Sequence, residues 1–220
     1  MKAIIFDFDG VIVDSERYWT LLMEELCVRL VPGWKSGDNA RHLTGANLQD
    51  NYAYIKKTYD ISFSWEEFEL QVEQLTGMIY GEKAAFLPGF PELLMELKKR
   101  NIPLGLASSS KSAWIDTAFH RLGMGDYFPL RATGDDLKPG EGKPAPVLYL
   151  RAAAMLGVDA KECIAIEDSH NGVLSAKAAG MYCIGIRNGI NDVQDLSTAD
   201  EIIHAFSELD QKKLDALMAL

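Results

Sequence analysis

The chain has 220 residues, of which 48% are hydrophobic and 25% are charged. This balance supports a sizeable buried core and excludes disordered and fibrous proteins. The formal net charge is −10 and the lysines and arginines are scattered, which argues against binding to nucleic acid or to an anionic membrane surface.

Cysteine usage and the amino terminus predict a cytoplasmic protein. Cys27, Cys163 and Cys183 are an odd set without CxxC spacing, and two of them lie in apolar runs, which favours buried thiols in a reducing compartment. The apolar start of the chain reaches Asp7 too soon for a signal peptide, and no later apolar run is long enough to span a bilayer. The sequence leaves the oligomeric state open and is compatible with a monomer.

The chain begins with a short buried strand that leads into a long helical region. Residues Ala3 to Phe8 form an apolar run that Asp9-Gly10 ends, as expected for a strand entering a turn. From Asp14 or Ser15 as the candidate N-cap, apolar residues recur at helical spacing until Pro32-Gly33. Further helix-like segments, and no convincing strand, continue to about residue 85.

After Leu87-Pro88-Gly89 the pattern changes to alternating helices and strands. This alternation predicts an α/β fold with a doubly wound, Rossmann-like parallel sheet, whose ligand site lies beyond the carboxyl ends of the strands. Residues 1–14 and 86–220 then form the α/β core, and residues 15–85 form an inserted helical cap. The predicted elements are helices over 91–100, 112–122, 145–156 and 170–179, and strands over 102–107, 128–133, 163–166 and 182–186.

Polar residues lie at the ends of the predicted strands or in the loops that follow them. Asp7 and Asp9 end the first strand, where side chains two positions apart share a face. Glu167 and Asp168 end another apolar run, so up to four carboxylates would converge. Such a cluster is costly without a cation, and Mg²⁺ is the first candidate because it prefers oxygen ligands. Taken alone, either acidic pair is equally well explained as a helix cap.

Four short motifs occur in the order Asp7-Phe8-Asp9-Gly10-Val11, Ala107-Ser108, Gly142-Lys143-Pro144 and Glu167-Asp168-Ser169. In these motifs and their order the chain resembles the haloacid dehalogenase-like superfamily, over essentially its whole length. The resemblance is strongest to the β-phosphoglucomutase-like branch and weakest over residues 15–85. It implies a phosphoric monoester hydrolase with a Rossmann-like core and a helical cap. The branch is indicated by Asp7 to Ser15 and by Glu167 to Gly172.

The resemblance implies a role for each acidic residue. Asp7 would attack a phosphoryl group and form an aspartyl-phosphate intermediate. Asp9 would protonate the leaving oxygen and then take a proton from the attacking water. Mg²⁺ would be held by Asp7, by the backbone carbonyl of Asp9, by Asp168, and by Glu167 either directly or through water.

The resemblance also implies a phosphate-binding site. The Ser108 hydroxyl and nearby backbone amides, including that of Ser109, would donate to the phosphate, and Lys143 would supply a positive charge. Taken alone, Ser108 fits a helix N-cap and Lys143 fits a solvated loop residue. Lys138 is a competing lysine in the same loop, but Lys143 matches the motif because it precedes Pro-x-Pro.

The residues favour a phosphatase over the other activities known on this fold. A dehalogenase needs neither Asp9 nor the second acidic pair. A phosphomutase shares all four motifs, but this chain has Trp19 where the β-phosphoglucomutases have a cap histidine, and residues 46–48 lack their phosphate-binding arginine. A catalytically silent binding protein would have lost the nucleophile or the metal acids, and this chain retains them.

The expected partner of this site is a small phosphorylated metabolite. By analogy with the branch, a sugar phosphate is the first candidate and a nucleoside monophosphate is the second. Ser15 and Asn47 are candidate substrate contacts from their position alone. Mg²⁺ is the only cofactor that the resemblance implies.

Overall fold

A parallel β-sheet forms the centre of the protein in the computed structural model, which describes residues 1–37, 48–124 and 127–220. The strands of these ranges are β1 (Ala3–Phe6), β2 (Leu104–Ala107), β3 (Arg131–Ala132), β4 (Cys163–Glu167), β5 (Tyr182–Ile186) and β6 (Glu201–Ile203). Their order is β3-β2-β1-β4-β5-β6, and every neighbouring pair is parallel. The predicted doubly wound α/β fold is confirmed.

Helices connect the strands, and the described residues between β1 and β2 are mainly helical. They are α1 (Glu16–Leu30), α2 (Leu48–Thr58), α3 (Trp65–Met78), α4 (Phe90–Lys99), α5 (Ser112–Leu122), α6 (Val147–Leu156), α7 (His170–Ala178) and α8 (Gln211–Met218). A π-helical turn, Ile79–Lys83, continues α3. Helices α1 to α3 therefore lie in the region predicted to be helical, and its described residues contain no strand.

The sheet is buried on both faces because the side chains of β1 alternate between two hydrophobic clusters. Ile4 and Phe6 belong to one cluster, in which Phe6 meets Phe90 edge to face at a ring-centroid distance of 5.6 Å. Ala3 and Ile5 belong to the other cluster, which contains many small residues of α6 and α7. Strands covered on both faces read as continuous apolar runs, which is why β1 was recognisable from the sequence.

The structure differs from the sequence prediction at the edges of the sheet. The predicted strand over 128–133 contains only Arg131–Ala132 as β3, and β6 and α8 were not predicted. Strand β6 has three residues, and its Ile202 is 38% exposed, so it lacks the apolar run that marks a buried strand. These differences lie at the periphery and leave the strand ends of the central sheet in place.

The chain leaves the sheet after β1 and returns to it along the same path. Val13 forms an antiparallel bridge with Phe86, and the backbone N–H of Asp14 donates to the carbonyl of Ala85 at 2.9 Å. The N–H of Ala85 donates in turn to Asp14 Oδ1 at 2.7 Å. The two segments that connect residues 15–85 to the sheet are thus paired next to Asp9.

The predicted state of the cysteines agrees with the structure, in which Cys27, Cys163 and Cys183 are free and buried. Within residues 1–37, 48–124 and 127–220, no helix has both the length and the apolar character needed to cross a membrane.

Candidate active site

Two neighbouring strands, β1 and β4, bring acidic residues together at the carboxyl edge of the sheet. Asp7 follows β1, Glu167 ends β4, and Asp168 comes next in the chain. Each offers one carboxylate oxygen, and these three oxygens lie within 4.8 Å of one another. All three residues are buried. Their positions after apolar strands had predicted that their carboxylates converge.

Lys143 lies in the middle of this acidic cluster. Its Nζ donates to Asp7 Oδ1 at 2.7 Å and to Glu167 Oε1 at 2.5 Å, and the residue is only 6% exposed. Lys138, the competing lysine of the same loop, is exposed. The structure therefore brings Lys143, and not Lys138, to the carboxylates.

Glu167 is held by several donors besides Lys143. The Tyr149 hydroxyl donates to its Oε1 at 2.8 Å, and the backbone N–H groups of Asp168 and Ser169 donate to its Oε2 at 3.1 and 3.3 Å. Tyr149 was missed in the sequence because it lies in an apolar helical run and reads as core. Its complete burial is the reason that its hydroxyl needs such a partner.

Asp168 is oriented by two asparagines from the loop after β5, neither of which was predicted from the sequence. The Asn188 amide donates to Asp168 Oδ2 at 3.0 Å and to the carbonyl of Gly10 at 2.9 Å. The Asn191 amide donates to the Asp168 carbonyl at 2.6 Å. Both follow an apolar strand, and this position was the available signal.

Two glycines are required by the close packing of this cluster. A Cβ at Gly10, whose φ is +74°, would lie 2.1 Å from Asp168 Oδ2, and a Cβ at Gly172 would lie 2.0 Å from the Glu167 carboxylate. A side chain at either position would have to displace a carboxylate of the cluster. The glycines in the first and last motifs therefore allow the backbone to approach the acids closely.

Asp9 lies beside the acidic cluster, and hydroxyl groups bind its carboxylate. Oδ1 accepts from Ser15 Oγ at 2.5 Å and from the Tyr80 hydroxyl at 2.7 Å, and Oδ2 accepts from Ser110 Oγ at 2.6 Å. Ser15 is fully buried, and its Oγ contacts Asp9 instead of pointing into a cleft. Asn47, the other candidate substrate contact, lies outside the described residues.

Ser108, Ser109 and Ser110 follow β2, which lies on the opposite side of β1 from β4. Ser108 is 1% exposed, and its Oγ accepts from the backbone N–H of Ser110 at 3.1 Å. Ser109 Oγ is buried and has no hydrogen-bond partner among the described residues. A buried hydroxyl without a partner is unfavourable, so Ser109 offers a donor to a bound group.

Burial and mutual repulsion perturb the acids of this site. Burial is the main cause that raises the pKa of Asp7 from 3.8 to about 7, although Lys143 opposes it, and burial also raises the pKa of Asp9. Burial raises the pKa of Asp168 well above its ordinary value, and so do the carboxylates of Glu167 and of Glu16, the first residue of α1. Burial and the carboxylates of Asp9 and Asp7 raise the pKa of Glu16 to about 8.

Lys143 is the one cation that the described residues place among these acids. Burial disfavours its charge, but Asp7 and Glu167 outweigh burial and raise its pKa overall. The surrounding carboxylates still exceed this single positive charge. Their oxygens are the donors that a hard divalent cation prefers, so the residues present fit such an ion.

A cleft of about 320 Å³ opens next to the serine loop, between that loop and helices α2 and α3. Its lining includes Ser109 and Lys111 from the core side. It also includes Gln49, Trp65 and Glu69 from residues 15–85, which we call the helical segment. Lys111 Nζ donates to Glu69 Oε1 at 2.6 Å and to Glu73 Oε1 at 2.9 Å, which ties α3 to the start of α5.

Comparison with known proteins agrees with this geometry. The sequence matches the family described as haloacid dehalogenase-like hydrolase over residues 4–186. It is 32% identical to a beta-phosphoglucomutase of Bacillus subtilis, covering 95% of this chain and 92% of that protein. It is 29% identical to a phosphorylated carbohydrates phosphatase of Thermotoga maritima, covering 92% of this chain and 93% of that protein.

The fold also matches solved structures. The structure of CbbY from Rhodobacter sphaeroides in complex with phosphate has a TM-score of 0.84 and 24% identity, with coverage of 98% of this chain and 99% of that one. Phosphatases recur among the curated relatives, including a phosphoglycolate phosphatase of Photorhabdus laumondii. The enzyme class expected from the sequence, a phosphoric monoester hydrolase, and the resemblance to the β-phosphoglucomutase-like branch are confirmed. The chain belongs to the haloacid dehalogenase-like hydrolases.

Proposed function

We propose that this protein is a Mg²⁺-dependent phosphatase of small phosphorylated metabolites, which works in the cytoplasm through an aspartyl-phosphate intermediate. The observation that carries the proposal is the convergence of Asp7, Glu167 and Asp168 around Lys143, with Asp9 held beside them. A nucleophilic carboxylate, acidic oxygens for a cation and a second carboxylate for proton transfer are the groups that this reaction needs.

In the proposed reaction, a carboxylate oxygen of Asp7 attacks phosphorus and the bond from phosphorus to the ester oxygen breaks. Asp9 gives its proton to that departing oxygen, so an alcohol leaves and Asp7 carries the phosphoryl group. Water then attacks the phosphorus while Asp9 takes one of its protons, and the bond to Asp7 breaks. Phosphate and the original two carboxyl groups are regenerated.

The remaining groups bind the phosphate and the metal. We assign Ser108, Ser109 and Lys143 to the phosphate. Lys143 contacts Asp7, and the two serines follow β2, the strand that pairs with β1. Ser109 Oγ also has no hydrogen-bond partner among the described residues. Asp7, Glu167, Asp168 and the Asp9 carbonyl would hold Mg²⁺. When bound, the ion neutralises charge on the phosphoryl oxygens and on the carboxylates.

We propose that residues 15–85 act as a cap over a core of residues 1–14 and 86–220. The paired segments at Val13 and Phe86 give this unit two adjacent connections to the core. The contacts of Lys111 with Glu69 and Glu73 hold α3 against the core, over the cleft. A cap in this position excludes bulk water and contacts the part of the substrate that is not phosphate.

The cleft favours a monophosphate ester of an uncharged sugar. Lys111 is paired with two glutamates, and the second lysine of the lining, Lys138, is exposed to solvent that screens its charge, so neither provides a free buried positive charge for a second phosphate. Trp65 and Gln49 offer an aromatic surface and an amide, which suit the C–H face and the hydroxyls of a sugar. A nucleoside monophosphate, whose base would stack on Trp65, is the second candidate.

A phosphate-release assay tests this function. The panel contains sugar monophosphates, the matching bisphosphates, nucleoside monophosphates and an aryl phosphate, each with Mg²⁺ and with EDTA. We expect release only with Mg²⁺, and kcat/KM for a sugar monophosphate about 10-fold or more above that for its bisphosphate, which corresponds to about 1.4 kcal/mol. Conversion of a sugar 1-phosphate to the 6-phosphate without release would identify a phosphomutase and refute the proposal.

The raised pKa of Asp7 predicts that the stability of the metal-free protein depends on pH. The pKa of Asp7 is higher in the folded protein than in the unfolded chain, so without metal the folded state binds more protons between about pH 4 and pH 7. The unfolding free energy therefore falls as pH rises through this window.

Mg²⁺ at about 100 times its Kd should add about 2.7 kcal/mol to the unfolding free energy, or roughly 5 to 10 °C to the Tm for a chain of this size.

Thermal unfolding in EDTA and in Mg²⁺, at pH 6 and pH 8, measures this effect. Because Mg²⁺ competes with protons for the carboxylates, we expect the larger Mg²⁺-induced rise in Tm at pH 8. The Asp168→Asn variant removes one carboxylate of the cluster, and its Mg²⁺-induced rise should be much smaller. An equal rise in the wild type and in Asp168→Asn would show that the ion binds elsewhere.

A further inference from the structure

Tyr80 connects the helical segment to the carboxylate of Asp9. It lies in the π-helical turn after α3 and is fully buried. Its hydroxyl donates to Asp9 Oδ1 at 2.7 Å and accepts from Trp19 Nε1 at 2.8 Å. Neither Tyr80 nor Trp19 belongs to the four motifs, and the reaction described above assigns no role to either residue.

The position of this hydroxyl is fixed from several directions. The Tyr80 ring packs against Phe8, Trp19 and Trp114, with ring-centroid distances of 5.8, 6.1 and 6.3 Å. Arg121 of α5 donates its Nε to the Tyr80 carbonyl at 2.8 Å, so the backbone is held as well. The hydroxyl is therefore placed by packing on both sides and does not depend on the bond to Asp9.

The direction of each hydrogen bond follows from the chemistry of the groups. The Trp19 indole N–H can only donate and an ionised Asp9 carboxylate can only accept, so the phenol accepts from Trp19 and donates to Asp9. Ser15 Oγ also donates to Asp9 Oδ1. The two donors occupy Oδ1, whereas Oδ2 accepts only from Ser110 Oγ among the described residues.

Ser110 can release Oδ2 without losing a partner. Its Oγ lies 3.2 Å from the Tyr80 hydroxyl oxygen, which has a second lone pair after accepting from Trp19. When Oδ2 carries a proton, rotation of the Ser110 hydroxyl directs its hydrogen to Tyr80 instead. The number of hydrogen bonds is then conserved as Asp9 gains and loses its proton.

We propose that Tyr80 is a positioning residue that anchors Asp9 through Oδ1 and leaves Oδ2 to carry the exchanged proton. This inference rests on the proposed function, in which Asp9 protonates the leaving oxygen. Oδ2 gives its proton to the departing alcohol and later takes one from water, and Oδ1 keeps its two donors throughout. Because Trp19 and Tyr80 both belong to the helical segment, placement of the proton donor depends on that segment being seated on the core.

The Tyr80→Phe variant tests the inference by removing one oxygen and keeping the ring. Proton donation matters for an alkyl phosphate, whose alkoxide is a poor leaving group, and matters little for a nitrophenyl phosphate, whose phenolate leaves without a proton. We expect kcat/KM for a sugar phosphate to fall about 10-fold or more, a part of the 10²- to 10⁴-fold that general acid–base catalysis contributes. We expect kcat/KM for nitrophenyl phosphate to change less than about threefold.

The loss of kcat/KM for the sugar phosphate, divided by the loss for nitrophenyl phosphate, distinguishes a positioning role of Tyr80 from a structural one. Asp9→Asn is the reference and should show the same selectivity more strongly. Tyr52→Phe is the matched control, because it removes a hydroxyl that donates to the Phe63 carbonyl at 3.0 Å within the helical segment. Trp19→Phe removes the donor to Tyr80 and should lower the sugar phosphate rate selectively, although by less.

Each outcome is decisive for one of the two proposals. Equal losses with both substrates in Tyr80→Phe, or no loss with either, would overturn the role of Tyr80 while leaving the phosphatase in place. If Tyr80→Phe unfolds, the same comparison in Trp19→Phe decides. A wild-type protein that releases phosphate from neither substrate would instead refute the proposed function.

Discussion

Replacement of Asp7 by asparagine is expected to abolish turnover and to leave the fold intact. The amide oxygen is a far weaker nucleophile than a carboxylate, and loss of a nucleophile that works with its partners as a unit costs about 10⁴- to 10⁶-fold in kcat. The fold should tolerate the change because Asp7 is one of several buried acids that repel one another. Lys143 also keeps its bond to Glu167.

Phosphate release and intact-protein mass spectrometry measure this effect. In the wild type, acid quenching during turnover should trap a phosphorylated protein, and peptide mapping should place the phosphoryl group on Asp7. The Asp7→Asn protein should carry none, while its Tm in EDTA at pH 8 should equal or exceed that of the wild type. Wild-type turnover in Asp7→Asn would show that another group attacks the phosphorus.

The convergence of the acidic residues could be predicted because each acid lies directly after a strand that its own local sequence reveals. Asp7 and Glu167 each end an apolar run, and parallel strands present their carboxyl ends at one edge of the sheet. The strand order β2-β1-β4 then brings them together. Lys143 was predictable only through its motif, since its loop has no periodic pattern and the neighbouring Lys138 has the same chemistry.

The contacts of Asp9 could not be predicted, because they depend on residues far apart in the chain. Tyr80 is 71 positions from Asp9, and Ser110 is 101 positions away. Tyr80 reads as a core aromatic residue in the sequence, and its burial agrees with that interpretation. Only the packing of the π-helical turn against α5 shows that its hydroxyl reaches a carboxylate, so a functional contact was hidden in a core residue.

The contact of the Ser15 side chain could not be predicted from the sequence either. Its position just after the first motif suggested a substrate contact, but the turn that follows β1 places its Oγ on Asp9. The bridges of Val13 with Asp9 and with Phe86 fold this turn tightly. Local sequence spacing indicated that Ser15 lies near the site, whereas the direction of its side chain depends on the returning segment around residue 85.

Replacement of Lys143 by alanine is expected to have the second largest effect. Lys143 is the buried cation closest to Asp7, and the proposed reaction uses it to stabilise charge on the phosphoryl group. Loss of one preorganised charge-stabilising donor lowers kcat by about 10²- to 10³-fold, or about 2.7 to 4 kcal/mol. The variant should also be less stable without metal, because removing one partner of a buried ion pair costs about 3 to 5 kcal/mol.

Lys138→Ala is the matched control, since it removes a lysine from the same loop whose side chain is exposed. Its kcat and Tm should stay close to those of the wild type, and only its KM should change, because Lys138 lines the cleft away from the carboxylates. Mg²⁺ should restore part of the lost stability of Lys143→Ala, because the ion neutralises the same carboxylates that the lysine contacts, but it should not restore kcat. In Lys143→Ala with Mg²⁺, stability would then recover in part while kcat stays low. This difference distinguishes a lysine that contacts the phosphoryl group from one that only balances buried charge. Recovery of both with Mg²⁺, or a larger loss of kcat/KM in Lys138→Ala, would contradict the assignment of Lys143 to the phosphate.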